Sequence, residues 1–152
     1  MITTERLELH PFTVELAGAI AAGEADGRKW IDGFPREDDQ DAARMFLDKP
    51  SEAFPSYVVV RRDTSETVGS IGFFGPPGED GAVMIGYGLA ESARGYGYAT
   101  EAVRALVGYA FAHAEVTRVL ADTDLDNFAS HRVLEKAGFT SDTKAQWVHE
   151  RG

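Results

Sequence analysis

The sequence predicts an α+β domain built on a mixed, mostly antiparallel sheet flanked by helices. Three observations carry this expectation. Residues 56–89 hold three strand-like runs joined by turns too short for a crossover, which forces antiparallel neighbours. Residues 98–113 carry Ala99, Val103, Leu106, Val107, Ala110 and Phe111 on one helical stripe. The chain has 152 residues, 43% hydrophobic and 26% charged, which suits one folded domain over residues 1–152.

The elements follow in order. Arg6–His10 alternates and predicts a short strand, and Ala-rich Thr13–Ala22 predicts a helix. An irregular stretch over 23–37 holds Trp30, Gly33, Phe34 and Pro35. The acidic group Glu37-Asp38-Asp39-Gln40-Asp41 then opens a second helix to about Asp48, its carboxylates suited to the positive end of the helix dipole. Ser56–Arg62, Thr67–Phe74 and Ala82–Leu89 predict the three-stranded meander. After the helix Tyr98–His113 come a strand over Thr117–Asp124 and a helix over Asn127–Ala137, which Gly138 ends. A short hairpin around Asp142–Lys144 closes the chain.

Composition removes several classes of function. The chain has no cysteine, so disulfides, thiolate zinc sites and cysteine nucleophiles are excluded. The net charge of −10 opposes binding to nucleic acid or anionic membrane, and favours a cationic partner at long range. Neither a signal peptide nor a membrane span is visible, so a cytoplasmic location is expected. His10, His113, His131 and His149 form no His-Glu-x-x-His pair, and no metal is expected; His113 and His131 are expected on helix surfaces. A Gly-x-Ser-x-Gly elbow is also lacking. Asp122–Asn127 opens like a calcium loop but has Asn127 where Gly is required and Val133 where Glu is required.

The most informative segment is Ala93-Arg94-Gly95-Tyr96-Gly97-Tyr98-Ala99-Thr100, between a strand and a helix. Two glycines let the backbone turn and approach a ligand closely. The first N–H groups of the helix lack intrahelical partners and favour a phosphate. A P-loop is excluded because the chain has no Gly-Lys, and a dinucleotide loop wants a small residue where Thr100 stands. A Gly-rich turn that merely starts a helix is the bland alternative.

This segment resembles the acetyl-CoA signature Arg/Gln-x-x-Gly-x-Gly/Ala of the GNAT N-acetyltransferases. Further likeness lies in Thr4–Phe12, in Ile85–Val103, and in Asp124–Phe139 with its Asn-x-x-Ser and Leu-Glu-Lys-Ala-Gly-Phe. These resemble the branch that includes the ribosomal-protein N-terminal (RimJ/RimL-type) acetyltransferases. The resemblance implies a GNAT-like acyl-CoA N-acyltransferase fold, with a V-shaped split between the fourth and fifth predicted strands, Ala82–Leu89 and Thr117–Asp124. It implies acetyl transfer from acetyl-CoA to an amine in a ternary complex. The acceptor would be a protein N-terminus or a small-molecule amine, and the chain a monomer or homodimer. Main-chain groups of Tyr87 and Leu89 would pair with the pantetheine arm. Gly95, Tyr96, Gly97, Tyr98, Ala99 and Thr100 would hold the pyrophosphate with Arg94 beside them, and Asn127 would bond the arm from the other side.

The chemistry departs from the family's pattern twice. Leu134 stands where many members carry the Tyr that protonates the leaving thiolate, and Ser130 is the replacement candidate. Met84 stands where relatives often carry a Glu base, leaving Asp122 and Asp124 as nearby carboxylates. Trp30 and Phe34 are candidates for the acceptor-side wall, against a packing role. These departures motivate a second reading, a GNAT-like module that binds acyl-CoA with little turnover.

Overall fold

The computed structural model describes residues 1–152. The elements are β1 (Ile2–Thr3), β2 (Leu7–Pro11), α1 (Val14–Ala22), α2 (Glu37–Asp48), β3 (Ser56–Arg61), β4 (Thr67–Phe73), β5 (Ala82–Leu89), α3 (Tyr98–Phe111), β6 (Arg118–Asp122), α4 (Phe128–Lys136) and β7 (Gln146–Glu150). A turn of 3-10 helix over Glu91–Ala93 joins β5 to the glycine loop. Seven strands form one sheet in sequence order, β1 to β7. Every neighbouring pair is antiparallel except β5 and β6, which run parallel across the α3 connection. The short β1 adds a strand at the edge, so the fourth and fifth strands expected from the sequence are β5 and β6. The expected final hairpin shrinks to the single bridge Thr140↔Val148 beside β7.

Helices cover both faces, and strand alternation sorts the core accordingly. Tyr57 and Val59 of β3 turn to one face and pack with Val103, Leu106 and Val107 of α3 and Leu134 of α4. Val58 and Val60 turn to the other and pack with Leu16, Ala17 and Ile20 of α1 and Ala43 of α2. Burial on both faces is why the run Tyr57–Val60 carries no polar residue. Thr13 caps α1 by accepting from Leu16 N–H, and Gly23 ends the helix at φ +72°.

His113 and His131 are turned inward rather than exposed. His131 is buried, its Nε2 3.0 Å from the Asp124 carbonyl and its ring 5.4 Å from the Trp147 ring. Through that contact it ties the chain before α4 to the helix. His113 lies 4.8 Å from the Phe54 ring, with Nδ1 3.0 Å from the Tyr109 carbonyl.

Candidate active site

The split in the sheet arises where the β5–β6 ladder stops. Its register runs from Ala82↔Arg118 to Ile85↔Ala121 and goes no further. Beyond it, Gly86–Leu89 keep their partners in β4 only. Phe74 N–H donates to the Met84 carbonyl and Ala90 N–H to the Val68 carbonyl, so even-numbered residues of β5 face β4. By alternation the main-chain groups of Tyr87 and Leu89 face the open side. The Leu89 carbonyl is already engaged, accepting from Arg94 Nε at 3.2 Å. Arg94 therefore lies along the slot wall as well as beside the loop.

The glycine loop stands at the mouth of this slot. Gly95 and Gly97 adopt φ +88° and +83°, the left-handed region open to glycine at no steric cost, and residues 94–97 are exposed. None of the six main-chain N–H groups from Gly95 to Thr100 bonds within the chain; the first α3 amide with a partner is Glu101, donating to the Gly97 carbonyl. Six consecutive donors at the positive end of a 14-residue helix make an anion cradle. Their carbonyl side is tied back. Arg6 Nη1 donates to the Tyr96 carbonyl at 2.7 Å, Arg6 Nε bonds Glu101 at 2.7 Å, and the guanidinium lies 4.7 Å from the Tyr98 ring centre. Tyr98 is buried beneath this clamp.

Glu101 makes the clamp sensitive to pH. Burial pushes its carboxyl up, but the Thr4 hydroxyl, the Arg6 amide and the Arg6 guanidinium together hold it below the usual value. A depressed carboxyl stabilises the fold above its unfolded pKa, about 4.3, and that stabilisation is lost as pH falls through the lower folded value. Glu101→Gln is therefore expected to be less stable than the parent at pH 7. The difference between them should shrink as melts are taken toward pH 3.

On the far bank, Asn127 is the N-cap of α4, its side-chain oxygen accepting from Ser130 N–H at 3.2 Å. Its amide NH2 stays available as a donor. Ser130 lies in the first turn, and its carbonyl accepts from the Tyr87 hydroxyl at 3.5 Å. Leu134 is wholly buried in the core. The Tyr87 ring thus crosses the split from β5 to α4, a role that its main-chain position in a strand gave no reason to expect. Burial pushes its phenol above the ordinary value, so it is protonated at neutral pH.

A cleft of about 680 Å³ opens behind the split, between α2 and the ends of β4 and β5. Met45, Phe46 and Phe74 supply apolar wall, and Arg36, Asp38, Asp41, Asp48 and Lys49 supply charge. Trp30 and Phe34 do not line it. Phe34 is buried in the second core cluster with the Trp30 ring edge-on at 5.3 Å, because the 23–37 stretch folds onto α1 and β4. Asp122 and Asp124 are exposed and likewise absent from the lining, and Met84 is half-buried.

Arg36, Asp39 and Ser70 form a polar cluster that sequence reasoning missed. Asp39 is wholly buried and accepts from Arg36 N–H at 2.8 Å, Nε at 3.1 Å, Nη2 at 2.8 Å and the Ser70 hydroxyl at 2.5 Å. The main-chain bond returns to the residue before α2, one half of a capping box. The available signal was Gly88 inside a strand, since an interior glycine marks close approach by another group. A Cβ on Gly88 would collide with the Arg36 guanidinium.

The model of the acetyltransferase (GNAT) domain family matches residues 6–140 of the chain. The protein belongs to the GNAT family of acetyltransferases. The N-acetyltransferase YjdG of Bacillus subtilis (strain 168) is 30% identical over 98% of this chain and 95% of its own. Among solved structures, the RimL ribosomal L7/L12 alpha-N-protein acetyltransferase in complex with coenzyme A superposes at a TM-score of 0.70 and 18% identity, covering 97% of this chain and 95% of that one. Aminoglycoside acetyltransferase AAC(6')-Ib with coenzyme A and kanamycin superposes at 0.67 and 22%, covering 95% of each chain. Identities this low show the shared fold. The family and the named relatives make this chain an acetyl-CoA-dependent N-acetyltransferase. No helix is long and apolar enough to cross a membrane.

Proposed function

We propose that the protein binds acetyl-CoA through the 94–100 loop and the split between β5 and β6, and presents an amine to the thioester from the cleft against α2. The observation that supports this most is the run of six partnerless amides beside a strand whose ladder ends at Ile85. Bound acetyl-CoA supplies an activated acetyl thioester. The chain's own groups do the rest. Amides 95–100 take the pyrophosphate, and the Asn127 NH2 and the Tyr87 main chain take the arm. Leu89 N–H faces the slot and suits a developing oxyanion, an effect typically worth about 3 kcal/mol. With Met84, Asp122 and Asp124 outside the cleft, we assign no dedicated base, and the acceptor reacts as the neutral amine.

The proton for the leaving thiolate comes from Tyr87 rather than from Ser130. Its phenol is protonated and engaged only at 3.5 Å, whereas an aliphatic hydroxyl is a far weaker acid. Tyr87→Phe is expected to lower kcat on the order of 100-fold with CoA affinity little changed. Ser130→Ala should do less. The reverse ranking in steady-state kinetics returns the role to Ser130. For the function as a whole, thiol release from acetyl-CoA is measured with a panel of amines and peptides. RimL and AAC(6')-Ib act on a protein N-terminus and an aminoglycoside by their names, so both classes belong in it. Saturable CoA binding with no thiol release from any acceptor would leave a binding module instead.

A further inference from the structure

The geometry points to a carboxylate-binding subsite at Arg36, so that the acceptor is an α-amino acid whose carboxylate is held beside its reacting amine. The inference rests on the reading of the α2 cleft as the acceptor site. Arg36 lines that cleft with its side chain 22% exposed. Its Nε and Nη2 are committed to Asp39, side-on, and Asp39 is fixed in turn by Ser70 and the Arg36 amide. The guanidinium is thereby held in one orientation. Nη1 keeps both its N–H groups, with no hydrogen-bond acceptor in the chain. The nearest further carboxylate, Asp38, is 3.9 Å from Nη1 and its side chain is 84% exposed, so it points largely to water.

Position turns this spare donor pair toward chemistry. The guanidinium lies against Gly88, between Tyr87 and Leu89, the two residues whose main chain faces the slot. An amine that reaches a thioester there brings the substituents of its α-carbon next to Nη1. A carboxylate on that carbon meets a preformed cation with two donors, the pairing for which arginine is suited. The apolar wall of Met45, Phe46 and Phe74 then faces the side chain of the acceptor. The net charge of −10 attracts the amine end of such a zwitterion, while Arg36 orders the other end.

Phenylalanine, phenylalaninamide and phenethylamine form a matched probe set, read by thiol release in the intact enzyme. Phenylalanine should exceed phenethylamine about 10–100-fold in kcat/KM, the range of a hydrogen bond to a charged group. In Arg36→Gln the ratio should fall toward one with CoA affinity unchanged. Arg36→Lys keeps a charge on Asp39 but lacks the fork; it should lose most of the preference too, and serves if the Gln variant does not fold. With kcat/KM expressed per neutral amine, equal values for all three probes, or phenylalaninamide as good as phenylalanine, would overturn the carboxylate assignment while leaving acetyl transfer intact. A second reading needs no turnover: 3-phenylpropionate should bind the enzyme–CoA complex by calorimetry, and Arg36→Gln should abolish it. Arg36-dependent binding without thiol release from any probe would keep the subsite and count against the transfer reading. Binding that ignores Arg36, or none at all, overturns the subsite.

Discussion

Gly97→Val is expected to weaken coenzyme A binding by roughly 30-fold or more while leaving the fold intact. Gly97 is the N-cap of α3 at φ +83°, and its amide is one of the six free donors. A left-handed backbone costs an L-residue about 1–2 kcal/mol, and a β-branched one more. The new Cβ would also stand 3.2 Å from Arg6 Nη2, in the clamp that holds the Tyr96 carbonyl. The variant relieves both by abandoning the loop conformation, and apparent affinity falls with the fraction of molecules still competent to bind. About 2 kcal/mol corresponds to the stated factor. Gly95→Ala gives the control, because nothing lies within 4 Å of its added Cβ and only the backbone cost at φ +88° remains. Its loss should be the smaller of the two, about 5-fold and at most about 30-fold. Calorimetry on the two variants checks the order.

Trp147→Ala should cost about 3–5 kcal/mol of stability, the range for removing a large buried aromatic. Trp147 is 0% exposed and among the largest fully buried side chains. Its indole N–H donates to the Thr123 hydroxyl at 3.0 Å, fixing the chain just beyond β6. For a domain of this size the loss corresponds to a fall of roughly 6–20 °C in Tm. The effect reaches function because β7 is the only strand bracing β6 on its outer side, and β6 is one wall of the split. Trp147→Phe keeps most of the packing and loses the hydrogen bond, so its melt should fall between the two.

The helices and the glycine turn into α3 were legible because their signals are local. Apolar spacing marks α3, the acidic first turn marks α2, and Gly95 and Gly97 mark the turn into the helix. Of the 98–113 expectation, only the end moved, to Phe111. What stayed hidden depends on residues distant in the chain. Any of the carboxylates in 37–41 suits a helix start, and only the packing of α2 on the sheet selects Asp39 to meet Ser70, 31 positions away. Tyr87 reaches Ser130 across 43 positions, and Arg6 reaches Glu101 across 95. The same limit explains Trp30 and Phe34: aromatic residues in a loop fit a ligand wall or a core equally well until the loop is placed.

The central claim is that the amides of residues 95–100 hold the pyrophosphate of coenzyme A. A 15N-resolved NMR titration of the labelled protein with coenzyme A tests it most directly. Saturable shifts should be largest at Gly95 to Thr100, with smaller ones at Tyr87 and Leu89. Binding that leaves those loop amides unmoved, or no binding at millimolar coenzyme A, would contradict it.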